Sequence, residues 1–207
     1  MMVDNLVHAE FRSIANFTSH YSAIIDVFDT ISGDNSRDMR VTLIYKNLPI
    51  ILEDEGGMWL GIGFGSNTML GADIVICQWD DSLQKGKCGD YIADSTGHPA
   101  NIAALPADEV NNIRYVSGVK ADNMLEIKFR RYLQTGDSDD HQMSPGEQLD
   151  LVWAFGFPDR LYHGSSNRGN QTVLLDQTVE SGAFDSLCKS FTQIIFGLIL
   201  VTIVAII

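Results

Sequence analysis

The spacing of apolar residues is what most constrains the fold of this chain. From Tyr21 to Asp176 they fall in short runs divided by clusters of Gly, Asn, Asp and Pro, and no stretch sustains a helical period over three turns. A helix must repeat its apolar positions every 3.6 residues to face a core, whereas a strand needs only alternation. Candidate strands are Ala23–Thr30, Arg40–Lys46, Met58–Phe64, Asp73–Trp79, Lys87–Ala93, Ile113–Val119, Met124–Tyr132, Leu149–Gly156 and Gln171–Asp176. Alternation is clearest in Leu125-Glu126-Ile127-Lys128-Phe129-Arg130, a strand with one buried and one wet face. Turn formers crowd the separators Ser32–Asp38, Asp54–Gly57, Asp80–Gly86, Asp94–Pro106 and Thr135–Gly146. Short strands at this spacing predict an all-β fold, an antiparallel β-sandwich of immunoglobulin-like architecture. Residues 1–19 read as an N-terminal extension, 20–180 as the sandwich and 181–207 as a separate tail. At 45% apolar and 20% charged, the chain has the material for a packed core.

The net charge is −13, and because Asp185 and Lys189 cancel, all of it belongs to residues 1–182. Such a field repels phosphate backbones, which argues against nucleic acid, and favours cationic partners. The tail differs: Phe191–Ile207 is 17 residues without a charge, near the lower limit for a membrane-spanning helix. Upstream lie the small residues Ser181, Gly182 and Ala183, then the spacer Phe184–Gln193. Small acceptor, spacer and short apolar tail form the pattern of a glycolipid (GPI) attachment signal, with Ser181 as the acceptor; a retained C-terminal anchor helix is the alternative. Either one tethers the domain to a membrane at the cell surface or in the secretory pathway, on the extracellular or luminal side. Met1–Ile14 carries no apolar leader core, which stands in tension with that expectation.

Asn16-Phe17-Thr18 and Asn170-Gln171-Thr172 are glycosylation sequons. Cys77 and Cys88 bracket the turn-like stretch Trp79–Gly86. If antiparallel strands flank that turn, the thiols face each other and a disulfide is expected. The alternative is a pair of reduced core cysteines. Cys188 lies in the tail spacer.

Local motifs predict no catalytic machinery. The histidines at 8, 20, 98, 141 and 163 lack zinc-ligand spacing, and there is neither a C-x-x-C nor a C-x-x-C-H motif. No serine sits in a nucleophile elbow. Gly61, Gly63 and Gly65 spell G-x-G-x-G, but another strand-like run follows where a phosphate loop needs a helix. Asp137, Asp139 and Asp140 lack the glycine and terminal Glu of an EF-hand loop and read as a solvated turn.

Longer motifs say more. Met58-Trp59-Leu60-Gly61-Ile62-Gly63-Phe64-Gly65, then Met69-Leu70-Gly71-Ala72-Asp73-Ile74-Val75-Ile76, resembles the core of the DOMON family. So do Phe129-Arg130-Arg131-Tyr132-Leu133, Thr135-Gly136-Asp137, Leu149–Gly156, Leu161-Tyr162-His163-Gly164 and Arg168-Gly169, in the same order. The resemblance covers about residues 20–176 and implies a β-sandwich of a secreted or membrane-tethered protein. One branch, similar to the cytochrome domain of cellobiose dehydrogenase and to plant GPI-anchored cytochromes b, carries haem b between a Met and a His. Those ligand positions fall on Met69 and His163, with Met58 and His98 the nearest competitors. A thioether and an imidazole suit an electron-transfer haem, here expected on different loops of one sandwich end, with the two sheets clamping the macrocycle. The resemblance implies an extracellular b-type cytochrome domain that passes single electrons to a redox partner protein or a small reductant such as ascorbate. A haem-free module binding carbohydrate or protein in adhesion is the alternative.

Overall fold

The computed structural model describes residues 11–29, 37–48, 58–93, 107–157 and 163–175. Ten strands follow one another: β1 (Phe11–Asn16), β2 (Tyr21–Asp29), β3 (Arg37–Lys46), β4 (Trp59–Phe64), β5 (Asp73–Asp80), β6 (Lys85–Ile92), β7 (Arg114–Ala121), β8 (Met124–Tyr132), β9 (Gln148–Gly156) and β10 (Arg168–Leu174). They form two five-stranded antiparallel sheets, ordered β1-β2-β3-β8-β7 and β10-β9-β4-β5-β6. The expected sandwich is therefore present. The chain changes sheet between β3 and β4, between β6 and β7, and between β8 and β9. Among the described residues no helix is long and apolar enough to cross a membrane. The apolar tail, Ser181, Cys188, His8 and His98 lie outside the described residues.

Alternation sets each layer. Along β8, Leu125, Ile127 and Phe129 are buried while Glu126, Lys128 and Arg130 are only half-buried. They meet Leu60, Ile62 and Phe64 of β4 and Leu149, Leu151 and Phe155 of β9 in one core between the sheets. Its aromatic part is a contiguous stack, with Phe17 5.6 Å from Trp153 and Tyr21 edge-on to Phe155 at 5.8 Å. Such pairs add roughly 0.5–1.5 kcal/mol each beyond the area they bury.

Local turn chemistry fixes the registers. Asp122 and Asn123, both at positive φ (51° and 59°), join Ala121 of β7 to its partner Met124 of β8. A two-residue hairpin of this kind needs two left-handed residues, which Asp and Asn tolerate best after Gly. The β5–β6 hairpin sets Cys77 directly opposite Cys88, and the expected disulfide joins them.

One strand was not expected. β1 lies inside the stretch read as an N-terminal extension, so the sandwich already includes Phe11. Its alternation is disguised: the buried residues are the small Ser13 and Ala15, whereas Ile14 is 52% exposed. Backbone pairing to β2 and a hydrogen bond from Ser13 Oγ to the Leu174 carbonyl hold it in place, rather than apolar bulk.

Candidate functional site

Strand β4 is buried on both faces. Leu60, Ile62 and Phe64 point into the core, so Trp59, Gly61 and Gly63 occupy the opposite, outer face of their sheet. The neighbouring outward positions are apolar too: Ile74 and Ile76 on β5, Val152 and Ala154 on β9. They form a second apolar cluster with Trp59, Ala72, Tyr91 and Ala93. Above this floor lies a cavity of about 360 Å³, within the range of small-molecule sites. Its rim is exposed and polar, with Asn67, Thr68, Ser165, Arg168 and Asn170.

Met69 and His163 both line this cavity. They reach it from opposite ends of the sheet, not from one. Met69 belongs to the loop that follows Phe64, whose β9 partner is Leu151; His163 belongs to the loop that follows Gly156, whose β4 partner is Trp59. Nor do the two sheets clamp the space between them. The cavity sits on the outer face of one sheet, because the core between the sheets is already filled by side chains from both.

The His163 imidazole is half-buried, with Nδ1 2.8 Å from the Gly164 carbonyl oxygen and its ring 6.4 Å from that of Trp59. A donating Nδ1–H puts the ring's lone pair on Nε2, the arrangement that suits a ligating histidine. Met69 is 37% exposed, on a loop tied to β10 by a hydrogen bond from Asn170 Nδ2 to the Asn67 carbonyl. Close packing shapes the floor. A Cβ on Gly63 would lie 2.7 Å from Val152 Cγ2, so only glycine leaves this part of the sheet surface clear. From beneath, the fully buried Tyr21 hydroxyl crosses between the sheets and donates to the Gly61 carbonyl at 3.0 Å. Burial raises its pKa, so it stays protonated as a donor.

Of the competitors, Met58 is 2% exposed in the main core. Asn16 and Asn170 of the two sequons are both exposed. Asn170 stands on the cavity rim.

The Met69 loop is held at one end by packing and at the other by a buried ionic cluster. At one end Gly65, at φ +79°, packs against the His141 imidazole, leaving no room for a side chain. At the other, Asp73 Oδ2 accepts from the His141 backbone N–H at 2.9 Å and from Arg131 Nη1 at 2.6 Å. Arg131 is wholly buried and also lies 3.3 Å from Asp140 Oδ2. Asp140, expected in a solvated turn, is thus 7% exposed. Asp90 completes the group: burial first, then the Asp73 and Asp140 charges, push it up to about 7 against the opposing pull of Arg131.

The fold and the cavity define a two-layer antiparallel sandwich with an apolar seat on the outside of one sheet. The DOMON domain profile matches residues 47–156, more than half of the chain, and the chain belongs to the DOMON family. No curated protein matches it at a significant level.

Proposed function

We propose that the domain is a b-type cytochrome that holds haem b in the outer-face cavity, between Met69 and His163. One observation carries this reading: the thioether and the imidazole, 94 residues apart in sequence, line the same apolar cavity. The other lining residues fit the group. Ile74, Ile76, Val152 and Ala154 offer an apolar bed for a porphyrin face, and Gly63 keeps that bed free of side chain. Arg168, on the exposed rim, offers a guanidinium for a propionate. When bound, a haem held by a thioether and an imidazole would supply one-electron transfer chemistry. The protein's part is to orient His163 through Gly164, hold the Met69 loop and exclude water from the porphyrin face.

Electron delivery by a partner protein or a small reductant fits this reading, and the net charge of −13 favours a cationic partner. The disulfide suits an oxidising compartment, in keeping with a domain outside the cell or in the secretory lumen.

Haem titration of the purified full chain tests the proposal. One equivalent should bind with a low-spin absorption spectrum, and Met69→Ala and His163→Ala should each give a high-spin or haem-free protein. Retention of the wild-type spectrum by both variants refutes the ligand assignment. Absence of haem binding, with oligosaccharide binding in its place, would favour the haem-free alternative.

A further inference from the structure

We propose that Asp73, Asp90 and Asp140 form a binding site for one calcium ion, independent of the haem reading. The three carboxylates come from the start of β5, from β6 and from the loop after β8, and each offers an oxygen within 4.8 Å of the others. All three are more than nine-tenths buried. A carboxylate this deep is normally satisfied on both oxygens. Here Asp73 Oδ1 and Asp90 Oδ1 are buried with no hydrogen-bond partner, while Oδ2 of each is engaged: Asp73 by Arg131 and His141, Asp90 by the Asn112 backbone N–H at 3.2 Å.

Charge points the same way. When all three carboxyls are ionised, as cation binding requires, they face one buried guanidinium, Arg131, which leaves a formal excess of two negative charges among the described residues of the cluster. Uncompensated charge in a low-dielectric interior is strongly unfavourable, and a divalent cation cancels this excess. Oxygen-only donors select a hard cation. Calcium fits better than magnesium, because it accepts irregular cages of six to eight oxygens, whereas magnesium demands near-octahedral geometry and keeps several waters.

A second set, Asp108, Asp137 and Asp139, also has mutually close carboxylates but is more exposed. Asn112 links the two sets: its backbone N–H bonds Asp90, and its side-chain amide donates to Asp137 Oδ2 at 3.4 Å. The outer acids extend the negative potential from the surface towards the buried trio, along which a cation would be drawn. Bound calcium would add a crosslink among β5, β6 and the 133–147 loop, and so stiffen the base of the Met69 loop at Asp73.

The test is calorimetric titration of the EDTA-treated full chain, without haem, with calcium chloride and separately with magnesium chloride. The expected result is one calcium per chain, at least tenfold weaker magnesium binding, and a melting temperature that rises with calcium concentration. Asp90→Asn should weaken calcium binding at least tenfold, while Asp139→Asn in the outer set should change it less than threefold. If Asp90→Asn does not fold, the wild-type titration and Asp139→Asn still decide. No calcium heat and no thermal shift in the wild type would overturn the proposal. So would magnesium binding as tight as calcium, or equal losses in both variants.

Discussion

Removing the Cys77–Cys88 crosslink perturbs the unfolded chain far more than the folded one. The two residues are directly paired across the β5–β6 hairpin, so the backbone holds them opposite each other whether or not the sulfurs are joined. The bond closes a short loop, with a sequence separation of 11. On the chain-entropy model a loop of this size loses about 3 kcal/mol of conformational freedom when crosslinked. For a domain of 150–250 residues, that corresponds to a fall in Tm of roughly 6–12 °C. Cys77 is fully buried, so Cys77→Ala/Cys88→Ala adds a cavity cost that reduction does not. Urea denaturation of three samples separates the effects: oxidised wild type, wild type in reductant, and the double alanine variant. Reduction should lower stability by about 3 kcal/mol with a slightly larger m-value, since the uncrosslinked chain exposes more surface when unfolded. The double variant should be less stable still. A loss on reduction below about 1 kcal/mol would refute the entropic reasoning and show that the hairpin persists in the denatured state.

Gly63→Val should block the outer-face cavity, because its side chain would push against the stiff, β-branched Val152. The expected destabilisation is about 1–3 kcal/mol by thermal unfolding, with at least tenfold weaker haem binding; unchanged haem affinity would place the ligand elsewhere. In EDTA, Asp90 should make stability depend on pH. Its folded pKa, pushed up to about 7, lies above the ordinary value near 4. Its protonation therefore stabilises the fold fully below about pH 4, and this contribution is lost as pH rises through about 7. The Tm of the wild type minus that of Asp90→Asn should fall between pH 4 and 8; parallel curves would show that the carboxyl titrates normally.

Strand positions were legible in the sequence wherever one face is wet. β8 runs Met124–Tyr132 as expected, because charged residues mark its outer side and large apolar ones its inner side. β1 was not legible, since Ser13 and Ala15 face inward while Ile14 faces water. The cavity had a signal that spacing alone did not resolve. Ile74 and Ile76 make β5 apolar on both faces, so the outer side of the sheet carries an apolar surface as well as the inner one. The buried ionic cluster also had one. Continuing the alternation Leu125, Ile127, Phe129 places Arg131 on the core face, and a buried arginine requires acidic partners. Which acids they are depends on pairings such as Arg131 with Asp73, 58 residues apart, that only the folded topology brings together. The family resemblance put Met69 and His163 at ligand positions; only the strand registers placed their loops at opposite ends of the sheet.

In the proposed haem site a thioether and an imidazole from these two loops meet one iron. Iron K-edge X-ray absorption on the haem-loaded full chain tests this ligation by counting sulfur scatterers in the first coordination shell. One sulfur is expected in the wild type and none in Met69→Leu, which keeps the side chain's bulk but removes the donor. A wild-type shell without sulfur, or a sulfur that survives Met69→Leu, would contradict it.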